Sequence, residues 1–107
     1  MSAGLDALDD VSDLDDPRWT TVLERVLDGH GLSVVAQPII DVAHSRVGGF
    51  ELLSRFAGPP NRTPDVWFTA ARRRGLDGEL TALTIRRMRE LAATRPEATF
   101  WTMNVEP

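Results

Sequence analysis

The chain has 107 residues, the length of one small domain. Its composition is that of an ordinary globular chain, with 42% hydrophobic and 26% charged residues, and no apolar run approaches the roughly 20 residues of a membrane span. No secretory signal pattern opens it, so we expect a cytoplasmic location. The lack of Cys and Lys excludes disulfides, Cys-based zinc sites and lysine bases, and a net charge of −4 disfavours nucleic-acid binding through a basic domain.

The negative charge is concentrated at the start of the chain. Residues 1–16 hold six Asp and no basic residue, whereas all 12 Arg lie in residues 17–107. Four aliphatic residues recur at spacing three in the acidic segment, which leaves open an amphipathic helix that docks on a partner: Leu5, Leu8, Val11 and Leu14. The composition favours a solvated, disordered leader over residues 1–16, followed by the folded part over residues 17–107.

The predicted elements follow in the order α-β-β-α-α-β. Asp16 and Pro17 form a helix-start signal, and apolar residues then recur at three and four. Two β-rich runs, Leu32–Ile40 and Arg46–Phe56, are joined by a short turn, which predicts an antiparallel hairpin. Pro38 donates no ladder hydrogen bond, so it places the first run at a sheet edge or a strand end.

Two further helices and a third strand complete the prediction. The second helix runs from Pro64 to Arg74 and ends at Gly75, and the three arginines of its last turn are typical of a solvated basic helix end rather than a phosphate or partner site. The third helix covers residues 78–94. The final run, Ala98–Val105, is expected to be parallel to the second strand because the two helices between them are long enough for a crossover.

Polar residues within these strands are the candidates for chemistry. Alternation places Glu51, Leu53 and Arg55 on one face of the second strand, with the two charged groups about 13 Å apart. A charge inside an apolar strand is costly unless it is paired, bound to a metal or at an open end. A Glu51–Arg55 surface pair and a binding site both stay open at this point. In the last strand Asn104 lies at the C-terminal end, where ligand groups collect in parallel α/β folds, although a local structural role also fits.

The hairpin register decides what lies beside Glu51. If the turn centres on His44, Gln37 lies directly opposite Glu51, whereas a slip of one residue would place them on opposite faces. The pair Gly48-Gly49 is a place where a bulge would alter this register.

Taken together, four blocks of the sequence resemble the first part of an EAL domain. The blocks are Gln37-Pro38-Ile39, then Glu51-Leu52-Leu53-x-Arg55, then Pro64-x-x-Trp67-Phe68 with Ala71 and Gly75-Leu76, then Asn104-Val105-x-Pro107. Their order and spacing match the family over about residues 17–107. The family is named for its Glu-Ala-Leu signature, and its members hydrolyse the bacterial messenger cyclic di-GMP.

The resemblance implies a fold, a site and a reaction. The fold would be α/β, the N-terminal portion of a modified TIM-like (β/α)8 barrel with an antiparallel first strand. Glu51 would be the catalytic signature glutamate and, with Asn104, a ligand to Mg²⁺ or Mn²⁺. Arg55 would contact a substrate phosphate, and Gln37 and Leu53 would line the nucleotide pocket. The metal would activate water for hydrolysis of cyclic di-GMP to linear pGpG. Neither a nucleic acid nor a membrane is an expected partner.

The chain departs from the family pattern in three places. Its signature reads Glu-Leu-Leu, and because Leu52 faces away from Glu51 we expect this change to affect packing. The usual Ala-Glu pair of the following helix is Ala71-Arg72, which reverses a charge. The usual Asn-x-Ser is Asn104-x-Glu106.

Length is the largest departure, since a complete (β/α)8 barrel takes typically about 250 residues. The family's later metal-binding carboxylates and lysine have no counterparts here, so we expect no hydrolysis by this chain alone. The last strand would be an open edge, which predicts a piece of a longer protein, a truncated product, or a homodimer. Two other interpretations stay open: a non-catalytic EAL remnant that binds cyclic di-GMP or a protein, and an unrelated α/β module in which Glu51, Arg55 and Asn104 are structural.

Overall fold

The computed structural model describes residues 13–95 and 100–103. The described elements, in chain order, are α1 (Arg18–Leu27), β1 (Leu32–Asp41), β2 (Arg46–Phe56), α2 (Pro64–Arg72), α3 (Asp77–Ala92) and β3 (Trp101–Met103), with a 3-10 turn, Val42–His44, joining β1 to β2. β1 pairs antiparallel with β2, and β2 pairs parallel with β3, so the sheet order is β1-β2-β3. The mixed α/β class, the hairpin and the parallel third strand are therefore confirmed, and β1 lies at an edge of the sheet that the described residues form.

α1 begins at the helix-start signal that the sequence predicts, and it ends at a glycine. The Asp16 carboxylate accepts the backbone N–H of Arg18 at 2.9 Å and a guanidinium N–H of the same residue at 2.7 Å. Hydrogen bonding to the Arg18 side chain lowers the pKa of Asp16 to about 2, so a negative charge persists at the helix N-terminus, where the dipole favours it. At the other end Gly29 adopts φ +103° and His30 N–H donates to the Arg25 carbonyl at 3.0 Å. This left-handed glycine is the reason that the helix ends there.

α2 ends through the same motif. Gly75 has φ +69°, and the N–H of Leu76 donates to the Ala71 carbonyl at 2.9 Å. The regular helix stops at Arg72 and the closing turn runs on to Gly75, so the predicted stop signal is confirmed.

The helices cover one face of the sheet and form the core there. Trp67 is 1% exposed, its ring stacks on Phe56 with centroids 4.8 Å apart, and it meets Trp19 edge-on at 5.1 Å. Arg87 of α3 donates to the Leu32 carbonyl and thereby ties that helix to β1. The core cluster consists of Trp19, Val22, Leu23, Val26, Leu32, Trp67, Phe68, Ala70, Ala71, Leu80 and Leu83. One face of the sheet is thus buried, and the opposite face carries no helix of the described chain.

Arg74 ties the segment before α1 to the end of α2. Its guanidinium donates to the backbone carbonyls of Leu14 at 2.7 Å, Asp16 at 2.6 Å and Ala70 at 3.0 Å, and to the hydroxyl of Thr20 at 3.0 Å. The interpretation of the arginine triplet as a solvated helix end is therefore wrong for Arg74. The reason is tertiary: packing brings the start of α1 beside the end of α2, and a sequence pattern does not report that proximity.

The acidic leader was predicted over residues 1–16. Residues 1–12 lie outside the described residues. Residues 13–16 are held against α2, since Arg73 donates to the Asp15 carboxylate at 3.1 Å and Leu14 packs against the core cluster. The folded part therefore includes the last four residues of the segment.

We expect Arg74→Ala to lower the free energy of unfolding by about 1–2 kcal/mol, because several backbone carbonyls lose a charged donor at once. Urea denaturation followed by circular dichroism measures this. Arg86→Ala, at an exposed position on α3, is the matched control, with an expected change within about 0.5 kcal/mol. Equal losses in the two variants would contradict a specific role of Arg74.

Candidate functional site

The face of the sheet opposite the helices carries the candidate site. The register pairs Gln37 with Glu51 across β1 and β2, and Glu51 with Thr102 across β2 and β3. Residues directly opposite one another on neighbouring strands project to the same face, with Cβ atoms about 5 Å apart. An amide, a carboxylate and a hydroxyl therefore form a line across three strands, which we call the polar row (Gln37, Glu51 and Thr102).

A β-bulge creates the polar row. Next to the turn, Asp41 pairs with Arg46 and Ile40 with Val47, and this register, continued along the hairpin, would place Gln37 opposite Phe50. One extra residue in β2, Gly48, shifts the register between Ile39 and Ile40, so that Gln37 faces Glu51 instead. The predicted Gln37–Glu51 pair and the bulge are both confirmed. The prediction assumed a turn centred on His44, whereas the pairs Asp41–Arg46 and Ile40–Val47 centre it between Ala43 and His44. The extra residue of the bulge makes up this half-residue difference, so Gln37 still faces Glu51.

Contacts on both faces of the sheet hold β3 in its register. On the helix side, the rings of Phe50 and Trp101 stack with centroids 5.0 Å apart, and the N–H of Phe50 donates to the Phe100 carbonyl at 3.2 Å. On the open side, a Cβ built on Gly49 would lie 2.5 Å from the Phe100 carbonyl oxygen and 2.9 Å from its ring. Only glycine, which has no Cβ, leaves room for this contact. Gly49 therefore allows β3 to approach β2, and this places Thr102 beside Glu51.

The Glu51 carboxylate is partly exposed and has no ion-pair partner within residues 13–95 and 100–103. Arg55 lies four residues further along β2, about 13 Å away, and its guanidinium donates to the Ser54 carbonyl at 3.1 Å. The Glu51–Arg55 surface pair that the sequence left open is therefore not formed. No side-chain cation of the described chain balances the charge of Glu51.

The structure brings four of the five predicted site residues to one face. Gln37 and Arg55 are exposed there, and Glu51 and Leu53 are partly exposed. Asn104, the fifth, lies outside the described residues. Thr102 was not predicted as a site residue. Strand alternation alone places it on the face of Asn104, but finding it beside Glu51 requires the register of β3 against β2.

This face offers two kinds of binding group. The Glu51 carboxylate is a hard oxygen donor of the type that Mg²⁺ and Mn²⁺ prefer, and its lack of a cationic partner among the described residues suits a metal ligand. The Arg55 guanidinium, near the C-terminal end of β2, has the planar fork that matches phosphate oxygens. A cation-binding and an anion-binding group therefore lie along one strand, about 13 Å apart.

In the two described ranges, no three His, Asp or Glu side chains come together as a metal-binding group. No helix of the described residues has the length and apolar character needed to cross a membrane. Comparisons of the chain with protein-family models, with curated proteins and with solved structures found no match.

Proposed function

We propose that the chain is the N-terminal part of an EAL-type cyclic di-GMP phosphodiesterase domain, the front section of a modified (β/α)8 barrel. One observation carries the proposal: the four described residues that the EAL resemblance assigns to the site, namely Gln37, Glu51, Leu53 and Arg55, all lie on the sheet face that the helices leave open. In a barrel that face is the interior, and functional groups collect at its strand ends. The antiparallel β1 and the parallel β3 support the same topology.

In this proposal each residue has a separate task. Glu51 and Asn104 bind Mg²⁺ or Mn²⁺, Arg55 holds a phosphate oxygen, and Gln37 and Leu53 line the pocket for the nucleotide. The metal, when bound, lowers the pKa of a coordinated water and stabilises the charge that develops on the phosphodiester. Water adds to one phosphorus atom and one bridging P–O bond breaks, so that the cyclic dinucleotide opens to linear pGpG.

Two oxygen ligands are fewer than the six that Mg²⁺ or Mn²⁺ takes, so the chain by itself is expected to bind the ion weakly and to leave cyclic di-GMP intact. The remaining ligands would come from further EAL strands that pair with β3, or from a second copy at the same edge.

We expect Glu51→Gln to weaken Mn²⁺ binding at least tenfold, because the substitution removes the carboxylate charge and keeps the size of the side chain. Electron paramagnetic resonance of free Mn²⁺ during a titration measures the dissociation constant. Glu79→Gln is the matched control, since Glu79 is exposed in the first turn of α3, away from the open face. Unchanged binding in Glu51→Gln would refute a metal site at this residue.

The same preparation distinguishes the proposal from its alternatives. Chromatography after incubation with cyclic di-GMP and Mn²⁺ reports pGpG. Turnover that disappears in Glu51→Gln would show a complete enzyme and overturn the expected inactivity. Binding of cyclic di-GMP without pGpG would identify a non-catalytic EAL remnant. A chain that binds neither the metal nor the nucleotide would be an unrelated α/β module.

A further inference from the structure

We propose that Thr102 is a positioning residue for Glu51: when a divalent cation binds, the Thr102 hydroxyl turns to donate a hydrogen bond to the Glu51 carboxylate and orients it toward the cation. The inference rests on the proposed function, because it concerns the same metal ligand. It adds a residue to which the EAL resemblance gives no role.

The register is the first support. Thr102 is the direct partner of Glu51 in the parallel ladder, and a slip of one residue would turn its side chain to the helix side. The stack of Trp101 on Phe50 and the close fit of Phe100 over Gly49 oppose such a slip from the two faces. The hydroxyl of Thr102 is therefore held on the open face, one strand spacing from Glu51.

The chemistry of the two neighbours is the second support. Glu51 is flanked by the Gln37 amide and the Thr102 hydroxyl, both neutral donors. Neutral donors orient a carboxylate without neutralising it, whereas a lysine or arginine in the same place would compete with a metal ion. Carboxylates that bind metals are commonly held by such a second hydrogen bond, and its loss typically weakens metal affinity 10–100-fold.

The availability of the hydroxyl is the third support. Thr102 is exposed, and its hydroxyl forms no hydrogen bond within residues 13–95 and 100–103. A threonine hydroxyl has one donor that rotates to suit its acceptor. It is therefore free to turn toward the carboxylate beside it.

The test compares Thr102→Val with Thr102→Ser in the full chain, with Mn²⁺ alone as the probe and paramagnetic resonance as the readout. Valine keeps the shape and removes the hydroxyl, so we expect Mn²⁺ binding about tenfold weaker. Serine keeps the hydroxyl, so we expect binding within about twofold of the unsubstituted chain. A merely structural role predicts the opposite order, since valine stabilises a strand better than serine. Thr21→Val, at an exposed position on α1, is the control, and Thr102→Ala replaces the valine variant if that variant fails to fold.

The outcomes separate this inference from the proposed function. Equal binding in Thr102→Val and the unsubstituted chain, together with loss of binding in Glu51→Gln, would overturn the role of Thr102 and leave the metal site standing. Unchanged binding in Glu51→Gln would overturn the metal site and the inference with it. Weakening in Thr102→Val that serine restores would support both.

Discussion

Replacing Trp67 by alanine is expected to lower the free energy of unfolding by about 3–5 kcal/mol, the cost of removing a large aromatic side chain from a packed core. Trp67 is 1% exposed and contacts Phe56 of β2 and Trp19 of α1 with its ring. The cavity would therefore open between the sheet and two helices at once. Because small domains are stable by only about 5–15 kcal/mol, this single change removes a large part of the total.

Trp67→Phe is the matched variant. It keeps a ring that stacks on Phe56, and it removes an indole N–H that is buried without a hydrogen-bond partner in the described residues. The substitution leaves no hydrogen-bond acceptor unsatisfied among these residues. We therefore expect the free energy of unfolding to fall by only about 1–2 kcal/mol. Urea denaturation followed by far-ultraviolet circular dichroism gives both values. Similar losses in the alanine and phenylalanine variants would show that the ring contacts do not hold α1 and α2 on the sheet.

Gly49→Ala is expected to detach β3 from β2 and to lower the free energy of unfolding by about 2–3 kcal/mol, the upper range for inserting a methyl group into a packed region. The new Cβ would lie 2.5 Å from a backbone oxygen of Phe100, and backbone in a ladder does not move aside as a flexible side chain does. The Phe50 N–H, which donates to that oxygen at 3.2 Å, would lose its acceptor. Hydrogen exchange at the Phe50 amide therefore reports the local effect directly.

Gly48→Ala is the control for this prediction. A Cβ at Gly48 meets its neighbours no closer than 3.5 Å, which is ordinary van der Waals contact. We expect a change within about 0.5 kcal/mol and a protected Phe50 amide. Fast exchange in both variants would place the sensitivity in the bulge as a whole rather than in the contact between Gly49 and Phe100.

Local chemistry explains why the helix positions were predictable. An aspartate at position 16 that accepts the Arg18 N–H, a proline at position 64 and left-handed glycines at positions 29 and 75 act over one helical turn each. The pattern of β2 was equally local, because its alternation separates a buried face from an open one without reference to any partner. The predicted and observed bounds of β2, Arg46–Phe56, are the same.

The pairing of two strand residues was predictable only where few residues separate them along the chain. Gln37 and Glu51 lie across a hairpin, so their pairing depended on one turn and one bulge, both visible as residue types. Thr102 lies some fifty residues beyond Glu51, and its register depends on how Trp101 and Phe100 pack on Phe50 and Gly49. The spacing of residues along the chain does not predict this packing.

By itself, the sequence determined the start signals of α1 and α2, the glycine at which α2 ends, which residues of β2 share a face, and the resemblance to the EAL family on which the proposed function depends. Tertiary structure decided that Arg73 and Arg74 hold residues 14–16, that Glu51 stands apart from Arg55, and that Thr102 joins Gln37 and Glu51 in the polar row. The physical reason is the separation along the chain over which each interaction acts. Caps, turns and alternation are set by neighbours within a few residues, whereas the polar row depends on side chains that meet only after the helices have packed on the sheet.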